Sequence, residues 1–223
     1  MMTQSMKVSS KLYHEGKVIN LPPSDWMGFI RGKSYSAIIF DCDGTLVESS
    51  EVHFRSFLSA AKAQGFELDR DWYYDRTGLD RNSLFEAFSE AFAPEFDIAE
   101  ACVNSISYFV EHSDLVQPIA LVQNLVIDLA GSYALAVATN AERQVAKASL
   151  KSVDLWDQFS ILVSVSDGVP PKPAPDMFLK AAELLHTPIN QALVFEDSNE
   201  GVKAALNAGM DVIQVKIEHQ EEK

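Results

Sequence analysis

The sequence predicts an α/β protein: a doubly wound, Rossmann-like parallel sheet with an inserted α-helical cap subdomain. Three observations point there. Five short segments are continuous or nearly continuous apolar runs, as expected of strands covered on both faces. Amphipathic helical patterns alternate with the later runs, the order that a parallel sheet requires. The interval between the first and second runs, residues 51–117, holds several helical stretches and no convincing strand.

Residues 1–36 come first and carry weak signals. "LPPSDW" suggests a turn or extended stretch, and Trp26, Phe29 and Ile30 could pack on a core. This segment is left as an N-terminal extension without an assigned role. The first strand is "AIIF", residues 37–40. A helix over 51–64 then places Phe54, Phe57, Leu58 and Ala61 on one stripe, with Gly65 just past its end. Further helical stretches cover about 80–92 and 97–112. The remaining strands are "YALAVA" (133–138), "SILVSV" (160–165), "ALVFE" (192–196) and "DVIQV" (211–215), separated by helices over 141–151, 175–186 and 199–209. The division that follows is an α/β core of residues 37–50 and 118–223, interrupted by a helical cap at 51–117. An insert rooted after the first strand stands above the carboxyl ends of the strands, where open α/β sheets bind ligands, so it is a candidate lid.

Composition bounds the partners. With 47% hydrophobic and 22% charged residues the chain is of ordinary globular character. A formal net charge of −14 argues against nucleic acid or an anionic membrane as partner. It also means that an anionic substrate must be held by local cations. Cys42 and Cys102 are too few for a disulfide framework or a thiolate zinc site. The apolar runs fall short of a bilayer span, and "MMTQSMKVSSKLYHEGKVIN" does not have the pattern of a secretory signal. The expected location is cytoplasmic.

The chemistry gathers at strand ends. Asp41 and Asp43 follow the first strand in "IIFDCDGTLVES", and two carboxylates there are costly unless they share a cation or a proton. A strand-end turn is the plain alternative. A calcium loop is not, because it needs glutamate at its twelfth position, which is Val52 here. Glu196 and Asp197 form a second acidic pair after the "ALVF" run. Four carboxylates with no His or Cys cluster favour a hard cation, Mg²⁺ over zinc. Thr139 and Asn140 end the "YALAVA" strand, where a Thr-Asn pair can cap a helix, face a ligand or do both. Lys172 lies in "PPKPAPD", whose prolines lower the cost of aiming it. No Gly-x-Gly-x-x-Gly follows the first strand, which sets a dinucleotide-binding oxidoreductase last.

"DCDGTLVES", "ATN", "KPAPD" and "FEDSNEG", in this order, resemble the motifs of the haloacid dehalogenase-like hydrolases, specifically the β-phosphoglucomutase and sugar-phosphate phosphatase group. The resemblance covers residues 37 to about 215 and implies the HAD-like fold. It implies that Asp41 is the nucleophile, Asp43 the general acid/base, and Thr139, Asn140 and Lys172 the phosphate-binding residues. It further implies that Asp41, Asp43 (through its backbone carbonyl), Glu196 and Asp197 bind the magnesium. Asp43 argues for phosphoryl chemistry over dehalogenation. As an acid/base it is expected to have a pKa raised by neighbouring carboxylates. His53 falls where the group often carries a histidine near the acid/base, and Gly78 and Arg81 in its substrate-specificity loop.

Two departures weaken the mutase reading. Asn104 stands where the mutase-like members carry a lid lysine, and "VQPIALVQNL" replaces the usual Pro-Gly stretch, resembling phosphatases that act on fructose-1-phosphate. The expected function is a magnesium-dependent phosphatase of a small phosphorylated metabolite, a sugar phosphate, working through an aspartyl-phosphate; the alternative is a phosphosugar mutase. A binding protein that keeps the fold without turnover would have lost a motif residue, and none is lost.

Overall fold

The computed structural model describes residues 7–77 and 79–218; Gly78 lies outside the described residues. The chain opens with a hairpin of β1 (Lys7–His14) and β2 (Lys17–Asn20), then helix α1 (Trp26–Arg31) and strand β3 (Ala37–Phe40). A short strand β4 (Val47–Glu48) leads into α2 (Ser50–Ala63), α3 (Arg70–Tyr74), α4 (Arg81–Phe92) and α5 (Ile98–Glu111). The chain returns through β5 (Gln117–Pro118) to α6 (Ala120–Leu129), β6 (Ala134–Thr139), α7 (Arg143–Ser152) and β7 (Ile161–Ser164). It ends with α8 (Asp176–Leu184), β8 (Ala192–Glu196), α9 (Asn199–Asn207) and β9 (Asp211–Glu218).

The main sheet has seven strands in the order β2-β1-β9-β8-β3-β6-β7. The run from β9 to β7 is parallel, as the alternation of strands and helices requires. The sequence reading is corrected at the other edge. Residues 7–20 form two further strands, with β1 antiparallel to both β2 and β9, so the sheet is mixed. The signal for this hairpin was local and slight. Glu15 and Gly16 both take positive φ, 49° and 72°, as a two-residue hairpin turn of matching twist demands. All of β2 is exposed, so it shows no apolar alternation.

Period-two alternation sends successive side chains to opposite faces. Ile38 and Phe40 of β3 pack with Leu135, Val137, Leu193 and Phe195 beneath α1, α6 and α7. Ile39 packs with Ala136, Val194 and Val212 beneath α8 and α9. Trp26 of α1 meets Phe195 edge-on at 5.3 Å and donates from Nε1 to Ser10 Oγ at 2.8 Å, tying the N-terminal hairpin to this core.

Helices α2 to α5 have an apolar cluster of their own, centred on Phe54, Phe57, Leu84, Phe85, Phe88 and Phe96. Aromatic stacking is dense there, as in the Phe57–Phe85 pair at 4.5 Å. The chain leaves and re-enters the core through the β4–β5 ribbon, where Val47 pairs with Pro118 and Glu48 with Gln117. Val52 and Phe109, near the roots of α2 and α5, belong to the core cluster instead. Among the described residues no helix is long and apolar enough to cross a membrane.

Candidate active site

Strand register brings the motifs together. Phe40 pairs with Phe195 on one side and Val137 on the other, so Asp41 ends its strand level with Glu196 and one residue short of Thr139. The backbone N–H of Asp41 still donates to the Phe195 carbonyl, at 2.9 Å. Beyond it the chain turns sharply, with the N–H groups of Leu46 and Val47 both donating to the Cys42 carbonyl. Gly44 is required twice in this turn. Its φ is +87°, and a Cβ there would stand 2.4 Å from Asp197 Oδ2.

These residues line a cleft of about 410 Å³ between the sheet edge and helices α2 to α4. At its floor, oxygen atoms of Asp41, Glu196 and Asp197 lie within 4.8 Å of one another. Lys172 is only 6% exposed, and its Nζ donates to Asp41 Oδ1 at 2.5 Å and Glu196 Oε2 at 2.7 Å. Burial alone would depress the lysine pKa, but the charges of Asp41 and Glu196 push it up, so Lys172 is a fixed cation. One cation does not balance three acids. Burial and then the charge of Glu196 raise Asp41 well above the usual carboxylate range, with Lys172 opposing them. The same causes push Asp197 up to about 7.

A divalent cation fits this arrangement. The donors are carboxylate oxygens, as hard cations prefer, and the excess negative charge that raises Asp41 and Asp197 is what such an ion would remove. Asp43 stands apart. Its carboxylate accepts from Ser49 Oγ at 2.5 Å and lies 3.2 Å from His53 Nε2, and it is not part of the cluster of Asp41, Glu196 and Asp197. Its pKa also corrects the sequence expectation. Burial pushes upward, but the charge and hydrogen bond of His53, the Ser49 hydrogen bond and the Arg81 charge together leave it below the ordinary value. Two of these groups, Ser49 and His53, lie only 6 and 10 residues away, but that they bond to the Asp43 carboxylate is decided by the fold.

Thr139 is buried at the cleft, and its Oγ1 accepts from the Ala141 N–H at 3.1 Å. Asn140 lines the cleft too, but its side-chain amide clamps Lys172. Oδ1 accepts from the Lys172 N–H at 2.9 Å and Nδ2 donates to the Lys172 carbonyl at 3.4 Å. Arg81 is buried and lines the cleft. Its Nε donates to Glu142 Oε1 and its Nη1 to Ser105 Oγ, both at 2.9 Å, with the guanidinium 4.9 Å from the centre of the Phe57 ring. Asn104 does not line the cleft.

Sequence reasoning passed over Ser49, Tyr73 and Glu142, all of which line the cleft. Glu142 had a signal, being two residues beyond the strand-end Asn140. Asp197 is also steadied from afar. Gln214 of β9 donates from Nε2 to the Asp197 carbonyl at 3.0 Å, and accepts from Tyr13 OH of the N-terminal hairpin at 2.9 Å.

Comparison with known proteins gives a consistent result. The family model described as haloacid dehalogenase-like hydrolase matches residues 38–215. The fructose-1-phosphate phosphatase YqaB of Escherichia coli K12 is 28% identical over 186 residues, 82% of this chain and 97% of its own length. A phosphorylated carbohydrates phosphatase of Thermotoga maritima is 27% identical, over 79% of this chain and 83% of its own. Among solved structures, CbbY of Rhodobacter sphaeroides in complex with xylulose-1,5-bisphosphate superposes with a TM-score of 0.71 at 26% identity, covering 79% of this chain and 84% of that one.

Proposed function

The chain belongs to the haloacid dehalogenase-like hydrolases, and from that premise we propose a magnesium-dependent phosphatase that acts on a sugar phosphate through a phosphoryl group carried on Asp41. It is a phosphatase of phosphorylated metabolites, as are its named relatives. One observation carries the finer reading. The Asp41 carboxylate, at the end of the middle parallel strand, opens on the cleft while bonded to a buried lysine and flanked by Glu196 and Asp197.

Asp41, Glu196, Asp197 and the Asp43 carbonyl would hold the magnesium. When bound, it supplies the positive charge that lets an anionic carboxylate approach a phosphate dianion. The rest of the chemistry belongs to the chain. An Asp41 oxygen bonds to phosphorus as the bond from phosphorus to the sugar oxygen breaks. Lys172 and the Thr139 hydroxyl orient the transferring oxygens, with the Asn140 backbone N–H beside them, while Asn140's amide keeps Lys172 in place. The leaving alkoxide takes a proton through Asp43, which shares it with His53. In the second step water attacks the aspartyl-phosphate and returns a proton to Asp43, freeing phosphate and the Asp41 carboxylate. We propose that residues 51–117 serve as a cap, with the ribbon of β4 and β5 as its stalk, excluding bulk water during both steps.

The test is phosphate release over a panel of phosphorylated metabolites with Mg²⁺, for the wild type and Asp41→Asn. The substitution should lower kcat on the order of 10⁴-fold or more. Retention of metal-dependent release by Asp41→Asn on an aryl phosphate would remove Asp41 as nucleophile.

A further inference from the structure

Glu142 occupies the N-cap position of α7, where a carboxylate ordinarily receives the first N–H groups of the helix. Its side chain makes no capping hydrogen bond. It reaches across the cleft to Arg81 of α4 at 2.9 Å, and the two side chains are only 20% and 5% exposed. The pair therefore sits inside the cleft and joins the core to the helical insert.

The consequence appears when the charged residues along the cleft are taken together. The basic side chains among the described lining residues are His53, Arg81 and Lys172. Each already faces an acid: His53 faces Asp43, Arg81 faces Glu142, and Lys172 faces Asp41 and Glu196. Lys172 lies at the end where a phosphate would meet Asp41. Toward the insert the lining is Phe57, Tyr73, Tyr74, Thr77 and Leu79, with Asp80 as a further acid. That end offers hydroxyls and apolar rings, and its one guanidinium is neutralised by its neighbour.

We propose that Glu142 is a specificity-determining residue that makes the cleft accept phosphomonoesters with an uncharged, hydroxylated far end and turn away a second phosphate. This rests on the phosphatase reading above. Like charges brought together in a water-poor site are strongly unfavourable, and a second phosphate would have to displace Glu142 from Arg81 or lie beside it. Neutral hydroxyls, in contrast, can donate to the free lone pairs of the carboxylate. The solved neighbour bound to xylulose-1,5-bisphosphate shows that the fold can accept two phosphates, so exclusion here would come from side chains.

The experiment compares kcat/KM for fructose-1-phosphate and fructose-1,6-bisphosphate in the wild type and Glu142→Gln, with p-nitrophenyl phosphate as a reference whose far end carries neither a hydroxyl nor a net charge. The wild type should favour the monophosphate, and Glu142→Gln should shift the ratio toward the bisphosphate by roughly tenfold, through KM. A ratio that moves less than about twofold overturns the proposal. A second measurement needs no variant: against hydrolysis of the aryl phosphate by the wild type, the bisphosphate should inhibit more weakly than the monophosphate, and equal inhibition also overturns it. A wild type that releases phosphate from none of the three with Mg²⁺ present overturns the phosphatase reading itself.

Discussion

At the floor of the cleft three carboxylates gather, two of them bonded to one lysine, whereas toward the helical insert Asp43 faces His53 and Glu142 faces Arg81, each acid against one basic side chain. The two ends belong to different parts of the fold. The floor is held by strand register and tight turns, so its side chains come together whatever their charge. Across the gap the contacts join α2 and α4 to the core, and a pairing there also helps to hold the insert against the sheet. The floor is thus left with an unmet demand for positive charge, which suits a metal ion and a phosphate that arrive together. The far end has its demand met in advance, which suits a neutral group.

The largest test of this contrast is Asp43→Asn. If the Asp43–His53 pair serves the leaving group, kcat on a sugar phosphate should fall about 10²–10⁴-fold. The first-turnover release of p-nitrophenol from p-nitrophenyl phosphate, whose leaving group needs no proton, should fall far less, while water attack on the aspartyl-phosphate, a step common to both substrates, slows equally. Equal losses in the first-turnover step on both substrates would move Asp43 from leaving-group protonation to the structural support of the floor.

A smaller effect should appear in the stability of the metal-free protein. Asp197 is raised to about 7 from an ordinary 3.8, so between these values the folded chain binds a proton that the unfolded chain does not. Stability should then fall as pH rises from about 4 to about 7. Magnesium should reverse the loss, raising Tm at pH 8 by roughly 5–10 °C at a hundredfold excess over Kd, with a smaller shift at pH 5 at the same Mg²⁺ concentration. Thermal melts with Mg²⁺ and with a chelator decide this; a shift that does not grow with pH would mean that the carboxylates are not the site. The smallest effect belongs to the buttress behind the floor. Tyr13→Phe removes the hydrogen bond to Gln214 and should cost about 1 kcal/mol, or 2–4 °C in Tm, with little change in kcat. A large loss of kcat would show that the N-terminal hairpin positions Asp197 more tightly than one hydrogen bond implies.

Much of the fold was legible because buried parallel strands must be apolar on both faces. Residues 37–40 and 192–196 were readable to the residue, and helix ends were marked by Gly65 and Gly209, both with positive φ in the structure. The hairpin of residues 7–20 escaped. Its β2 strand is wholly exposed, and β1 carries polar residues because it lies beyond the helix-covered centre of the sheet. Within the site, the acids at strand ends were legible, since residues that close adjacent parallel strands must share an edge. The partners of Arg81 were not, because Glu142 and Ser105 lie 61 and 24 residues away in the chain.

By itself the sequence determined the parallel core, the helical insert and the gathering of Asp41, Thr139, Lys172, Glu196 and Asp197 at one edge. The core, the insert and the strand-end acids and threonine follow from backbone periodicity and from the one direction in which parallel strands run; Lys172 followed from the resemblance of its motif. Tertiary structure alone decided the protonation bias of Asp43, the clamp of Asn140 on Lys172 and the pairing of Glu142 with Arg81. Each depends on distances of about 3 Å between groups on different elements, and electrostatic and hydrogen-bonding energies change steeply over that range.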